Sequence, residues 1–117
     1  MPAPVELANS WSSAEAMMEK GDHSLALDEL RISWDLCEND SQRAKTLKMA
    51  GDAGTALGVE DSDMQRVHWR KALKSYRNSM KMDPKNKETR KAMNNLLSLM
   101  DANAISRGMG LQLMDEG

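Results

Sequence analysis

The feature that most limits what this chain can fold into is the spacing of its apolar residues, which recur at steps of three and four almost throughout. Between His23 and Asn39, for example, Leu27, Leu30, Trp34 and Cys37 lie three, four and three residues apart, on one face of an α-helix. Strand signals are missing: there is almost no β-branched run and no Asn-Gly or Asp-Gly pair to turn a hairpin. Composition agrees, with 11 Met and no Phe, because unbranched apolar side chains keep their rotamer freedom in a helix. The 117 residues suffice for one domain with one core, and 40% hydrophobic against 29% charged residues is the balance of a globular chain. An all-α fold of antiparallel helices joined by short loops is expected.

Turn-forming residues cut the pattern into about five helices, near 5–20, 23–38, 41–57, 62–82 and 86–100, within a helical domain at 1–101. Gly21 closes the first, since glycine is at ease in the left-handed conformation that ends a helix. Ser24 can cap the second, and Glu38–Ser41 ends it with turn-favouring residues. The third ends near Gly58. Gly51 and Gly54 inside it each cost ~1 kcal/mol relative to Ala, which close backbone packing would explain. Glu60–Asp63 offers acidic capping residues to the fourth helix, and Pro84 stops it. After the fifth comes a tail, 102–117, in which Met109, Leu111 and Leu113 alternate with Gly and Gln, as an extended peptide with one apolar edge would.

Two segments share a pattern. In GDHSLALDELRISWDLCEND, Ala26 is followed four residues later by Leu30 and three later by Ser33. In WRKALKSYRNSMKMDPKN the same steps give Ala72, Tyr76 and Ser79, then Pro84. Small residues at that spacing admit a neighbouring helix and the bulky one plugs the gap. Here the sequence resembles the tetratricopeptide (TPR) family, whose second helix carries A-x3-[FY]-x2-[AS]-x4-P. The first copy has His23, Leu30 and Glu38 at the family's aromatic, Phe/Tyr and Pro places, and the first helices have Ser10 and Gly51 where large residues are usual. Ala26 and Ala72 are 46 residues apart, against the family's period of about 34. The twelve additional residues are expected to lengthen the third and fourth helices into a taller hairpin rather than to form a loop, which would leave Met64, Val67 and Trp69 exposed.

The resemblance implies stacked hairpins in a short right-handed superhelix of two degenerate repeats plus a capping helix. Its concave groove, the family's usual peptide-binding surface, would be lined by Trp11, Glu15 and Met18 from the first helix. Lys45, Met49 and Asp52 would come from the third, and Lys91 and Asn95 from the fifth. Lys91 and Asn95 have the Lys-x3-Asn spacing of TPR domains that clamp a C-terminal carboxylate, although solvation of an exposed helix face explains them as well.

Charge is divided unevenly. Residues 1–63 carry 13 acidic and 5 basic side chains, whereas 66–91 carry 10 basic and 2 acidic. On the fourth helix Arg66, Arg70, Lys74, Arg77 and Lys81 form one stripe, while Trp69, Ala72, Tyr76, Ser79 and Met80 form another. A nucleic-acid platform needs rings exposed among the cations so that bases stack on them. Rings segregated from cations read instead as a packed face behind a solvated basic one, and pI ≈ 5.7 also disfavours a nucleic-acid partner. An acidic protein partner or a homodimer pairing the two halves fits the asymmetry better.

No catalytic, metal or cofactor pattern is found. His23 and His68 lack ligand spacing, Cys37 lies on an apolar face, and residues 52–58 and 106–110 lack phosphate-loop spacing. One cysteine, no signal-peptide pattern at the start and no spanning apolar run point to a cytoplasmic setting without membrane contact. The expected function is a non-catalytic scaffold that binds a protein or peptide in the groove. The alternatives are a homo-oligomer with its own tail in the groove, and nucleic-acid binding through the basic stripe.

Overall fold

The computed structural model describes the backbone of residues 3–116 and the side chains of 3–104. It contains five α-helices and, among the described residues, no strand: α1 Val5–Glu19, α2 His23–Leu36, α3 Asp40–Glu60, α4 Gln65–Met82 and α5 Lys87–Glu116. Each packs on the next in the chain, α3 with α4 most extensively, so the helices form antiparallel hairpins stacked in a row. The radius of gyration, 16.2 Å, exceeds the ~13 Å of a compact chain this long. Row-like stacking and the 30 residues of α5 account for the excess.

Local chemistry sets the helix ends. Gly21, at φ 83°, closes α1, its N–H donating to the Met18 carbonyl at 3.0 Å and that of Asp22 to Met17 at 2.8 Å. The α2 cap falls on Asp22 rather than Ser24, which lies inside the helix. Asn39 caps α3 by accepting from the Gln42 N–H at 2.9 Å, and Asn86 caps α5 through Glu88 and Thr89 at 3.0 and 3.2 Å. α4 begins at Gln65, three residues later than the acidic run suggests, because Ser62–Met64 form the turn itself. α2 stops at Leu36, where Cys37 turns extended.

The lengthened hairpin is present: α3 has 21 residues and α4 18, against 15 and 14 for α1 and α2. α3 runs past Gly58 to Glu60, so that glycine does not end the helix. Instead Gly51, Gly54 and Gly58 form a seam against α4. A Cβ on Gly51 would overlap the Tyr76 ring, one on Gly58 would overlap the Trp69 indole, and one on Gly54 would sit 3.0 Å from the Ala72 Cβ. Removing three side chains from α3 is what lets two rings of α4 lie against its backbone. Trp69 and Tyr76 are consequently buried, 5% and 2% exposed. They join Ala72, Leu73 and Leu96 in one core cluster, while Leu7, Trp11, Ala14, Leu30 and Met49 form another between α1, α2 and α3.

At the far end α5 continues as one helix to Glu116, where the sequence suggested an extended tail after 101. Its apolar positions Met109, Leu111 and Leu113 lie outside the residues whose side chains are described.

Candidate functional site, a concavity between the first and third helices

α3 turns different faces to different neighbours. At 100° per residue, Lys45, Lys48, Met49 and Asp52 share one face, and Leu47, Ala50, Gly54 and Leu57 share the opposite one. The first of these faces meets α1 across a concavity of about 590 Å³. Trp11 and Met49, both buried, are its floor, and Met18, Glu15, Lys45 and Asp52 stand around them. Asp83, Asn86 and Glu88, from the α4–α5 connection and the start of α5, close one end.

The side chains here are already held. Trp11 Nε1 donates to Thr46 Oγ1 at 2.9 Å, which fixes the indole plane, and Lys45 Nζ lies 4.2 Å from the ring centroid, a cation–π distance. Lys48 pairs with Asp52 at 2.7 Å, and the other Asp52 oxygen accepts from the Tyr76 hydroxyl at 2.5 Å. Burial, reinforced by the hydrogen bond to Asp52, holds the Tyr76 hydroxyl well above the usual phenol range, so it stays a donor. The α3–α4 glycine seam is thereby linked to the concavity: the ring that fills Gly51 also orients the carboxylate that lines the wall. Chemically, the site offers an anchored aromatic floor, a thioether and alternating charges. It can hold an apolar side chain flanked by polar or charged groups.

Six of the eight sequence-derived groove residues, Trp11, Glu15, Met18, Lys45, Met49 and Asp52, line this single cavity. Lys91 and Asn95 do not. Both are exposed, one turn apart on α5, and the same helix contributes Glu88 in their place. Asp83, Asn86 and Glu88 also line the hollow without being marked by repeat spacing, although DPKN at 83–86 signals the turn that carries the first two. The basic stripe behaves as its spacing implied: Arg66, Arg70, Lys74, Arg77 and Lys81 are all exposed, while the rings of α4 face α3.

His23, His68 and Cys37 lie outside this hollow. His23 Nε2 lies 3.2 Å from Glu60 Oε1, tying the start of α2 to the end of α3, and His68 Nε2 lies 3.5 Å from Asp61 Oδ2. Cys37 is half-buried, its Sγ donating to the Ser33 carbonyl at 3.2 Å. Among the described residues no cluster of three or more His, Cys, Asp or Glu is placed to hold a metal ion, and no helix is long and apolar enough to cross a membrane. No family model, curated protein or solved structure matches the chain.

Proposed function

We propose that the protein is a TPR-like binding module that holds a peptide or protein segment in the concavity between α1 and α3 and performs no catalysis. The observation that carries the reading is the convergence of Trp11, Met18, Lys45, Met49 and Asp52 on one hollow, the same positions that repeat spacing in the sequence marks as the inner face. A floor of indole and thioether inside a polar rim is the arrangement that binding sites for single side-chain anchors use. The mixed rim, with Lys45 and Lys48 against Glu15, Asp52 and Glu88, suits a peptide carrying both an apolar anchor and a charge of either sign. The cytoplasmic setting drawn from the single cysteine belongs to the same proposal.

Nucleic-acid binding through α4 has less support, because Trp69 and Tyr76 are buried and the basic stripe lacks exposed rings of its own helix. Peptides selected by display on the immobilised protein test the proposal. The affinity of selected peptides that carry an acidic residue should fall about tenfold in Lys45→Glu, a change of ~1.4 kcal/mol, with an unchanged far-UV circular dichroism spectrum. Selected peptides indifferent to Lys45→Glu and to Glu15→Lys would refute binding at this concavity.

A further inference from the structure

The opposite face of α3 carries a second, unassigned recess. α2 and α4 both pack on α3 but have next to no contact with each other, which leaves a trough between them. Its floor is the row Leu47, Ala50, Gly54 and Leu57 of α3, at steps of three, four and three. Leu27, Arg31 and Trp34 form the α2 wall, and His68, Lys71 and Ser75 form the α4 wall. The hollow measures about 450 Å³, and an adjoining one of about 350 Å³ shares Trp34 and Leu47 and extends the trough to Lys81 and Met82. From His68 to Met82 the α4 wall is ~21 Å long, four turns of helix.

We infer that this trough is a docking site for an amphipathic α-helix of a partner protein, with an apolar stripe at three-and-four spacing and acidic residues along the flank that faces α4. Three observations lead there. The walls and floor are helices whose backbone groups are bonded internally, so they offer no free strand edge. An occupant must satisfy its own backbone, as a helix does. The floor is apolar, and Trp34, 38% exposed, is a large ring standing unfilled beside it. The sign of the occupant's charge follows from the rim. Arg31 is paired with Asp28 at 3.2 Å, whereas Lys71 and Lys81 on the α4 wall are exposed and have no ion-pair partner among the described residues. A second copy of this chain suits the trough less well, since two concave faces brought together leave both floors unfilled.

This site lies across α3 from the concavity above and does not depend on it. The test uses the full chain and a synthetic helix of about 14 residues, long enough for the trough, with Leu on one stripe and Glu on the flanks. A second probe has Lys in place of Glu. Trp34 emission, with Trp34→Phe as the blank, reports occupancy, because Trp11 and Trp69 are buried. The Glu-flanked probe should shift Trp34 emission to the blue and bind more tightly than the Lys-flanked one. Lys71→Glu/Lys81→Glu, both at exposed positions, should weaken the Glu-flanked probe about tenfold and reverse the preference, while Lys45→Glu should leave it unchanged. Equal binding of the two probes, no binding of the Glu-flanked probe, or loss of binding in Lys45→Glu would overturn the proposal. A Trp34 shift that follows protein concentration without any probe would also overturn it, assigning the trough to a second copy.

Discussion

The two hairpins have the same topology and opposite seams. In the second, α3 presents Gly51, Gly54 and Gly58, and α4 fills the space with Tyr76, Ala72 and Trp69. In the first, α1 and α2 approach through hydroxyls. Ser10 and Ser33 lie 2.6 Å apart, Ser10 also donates to Glu29 Oε2 at 2.7 Å, and both serines are buried beside Ala14 and Ala26. A close approach between helices can therefore be specified by a steric fit or by a satisfied polar pair. The two differ in what they tolerate. The steric seam has no room for one additional methyl, whereas the polar seam depends on every partner being present.

The largest effect should come from emptying the steric seam. Trp69→Ala should cost ~3–5 kcal/mol, measured by urea denaturation, as large-to-small core changes do. If the loss were below ~1 kcal/mol, the Trp69 indole would not be the plug. Next comes the smallest change possible on the other side. Gly58→Ala should destabilise by ~1–2 kcal/mol, although alanine's helix propensity alone would stabilise by ~1 kcal/mol. The sign of the change is thus the informative result, and a stabilised Gly58→Ala would show that the seam is loose.

Tyr76→Phe should cost ~1 kcal/mol by removing the hydroxyl that orients Asp52. The same substitution carries a pH signature. Because the folded state holds the Tyr76 proton above the ordinary phenol range, its contribution is fully present below pH ~10 and is lost as pH rises through the folded-state value. The stability difference between wild type and Tyr76→Phe should therefore be flat at neutral pH and shrink at alkaline pH; a flat difference to high pH would remove the raised phenol from the account. The polar seam should respond on the same scale as the Tyr76 hydroxyl. Ser33→Ala should cost ~1 kcal/mol, because Ser10 keeps its bond to Glu29 while losing one partner. Ser10→Ala should cost no less, since it leaves both Ser33 and Glu29 without their shared partner.

How far the fold was legible follows from these same residues. Three-and-four spacing gave five helices, and Ala72, Tyr76 and Ser79 gave the hairpin and its buried face; the Ser79 hydroxyl donates to the Ala44 carbonyl at 2.6 Å. Gly51 and Gly54 were readable as close-packing sites because glycine inside a helix is otherwise costly. Gly58 was misread as a helix end because a terminal and an interior glycine look alike in sequence; only the Trp69 ring, eleven residues later, separates the two meanings. The alternation of Met109, Leu111 and Leu113 with Gly and Gln suggested an extended tail, but the backbone there continues α5. The concavity was legible on α1 and α3, whose residues repeat spacing places, but not on α5, whose register depends on the turn at 83–86. The trough was hidden because Trp34 shares one apolar stripe with Leu30. The stripe is wider than its neighbours cover, so Leu30 is buried and Trp34 is left at the edge.

The proposed ligand site on the α1-facing side of α3 is open to one direct measurement, because the chain has three tryptophans. Their indole N–H resonances report three separate places: Trp11 the concavity, Trp34 the opposite trough and Trp69 the glycine seam. Titrating a display-selected peptide into isotope-labelled protein should move the Trp11 resonance, which leaves its Thr46 partner or loses its Lys45 cover, while Trp69 stays fixed. A saturable peptide that leaves Trp11 unmoved and instead shifts amides along Arg66–Lys81 would contradict the claim.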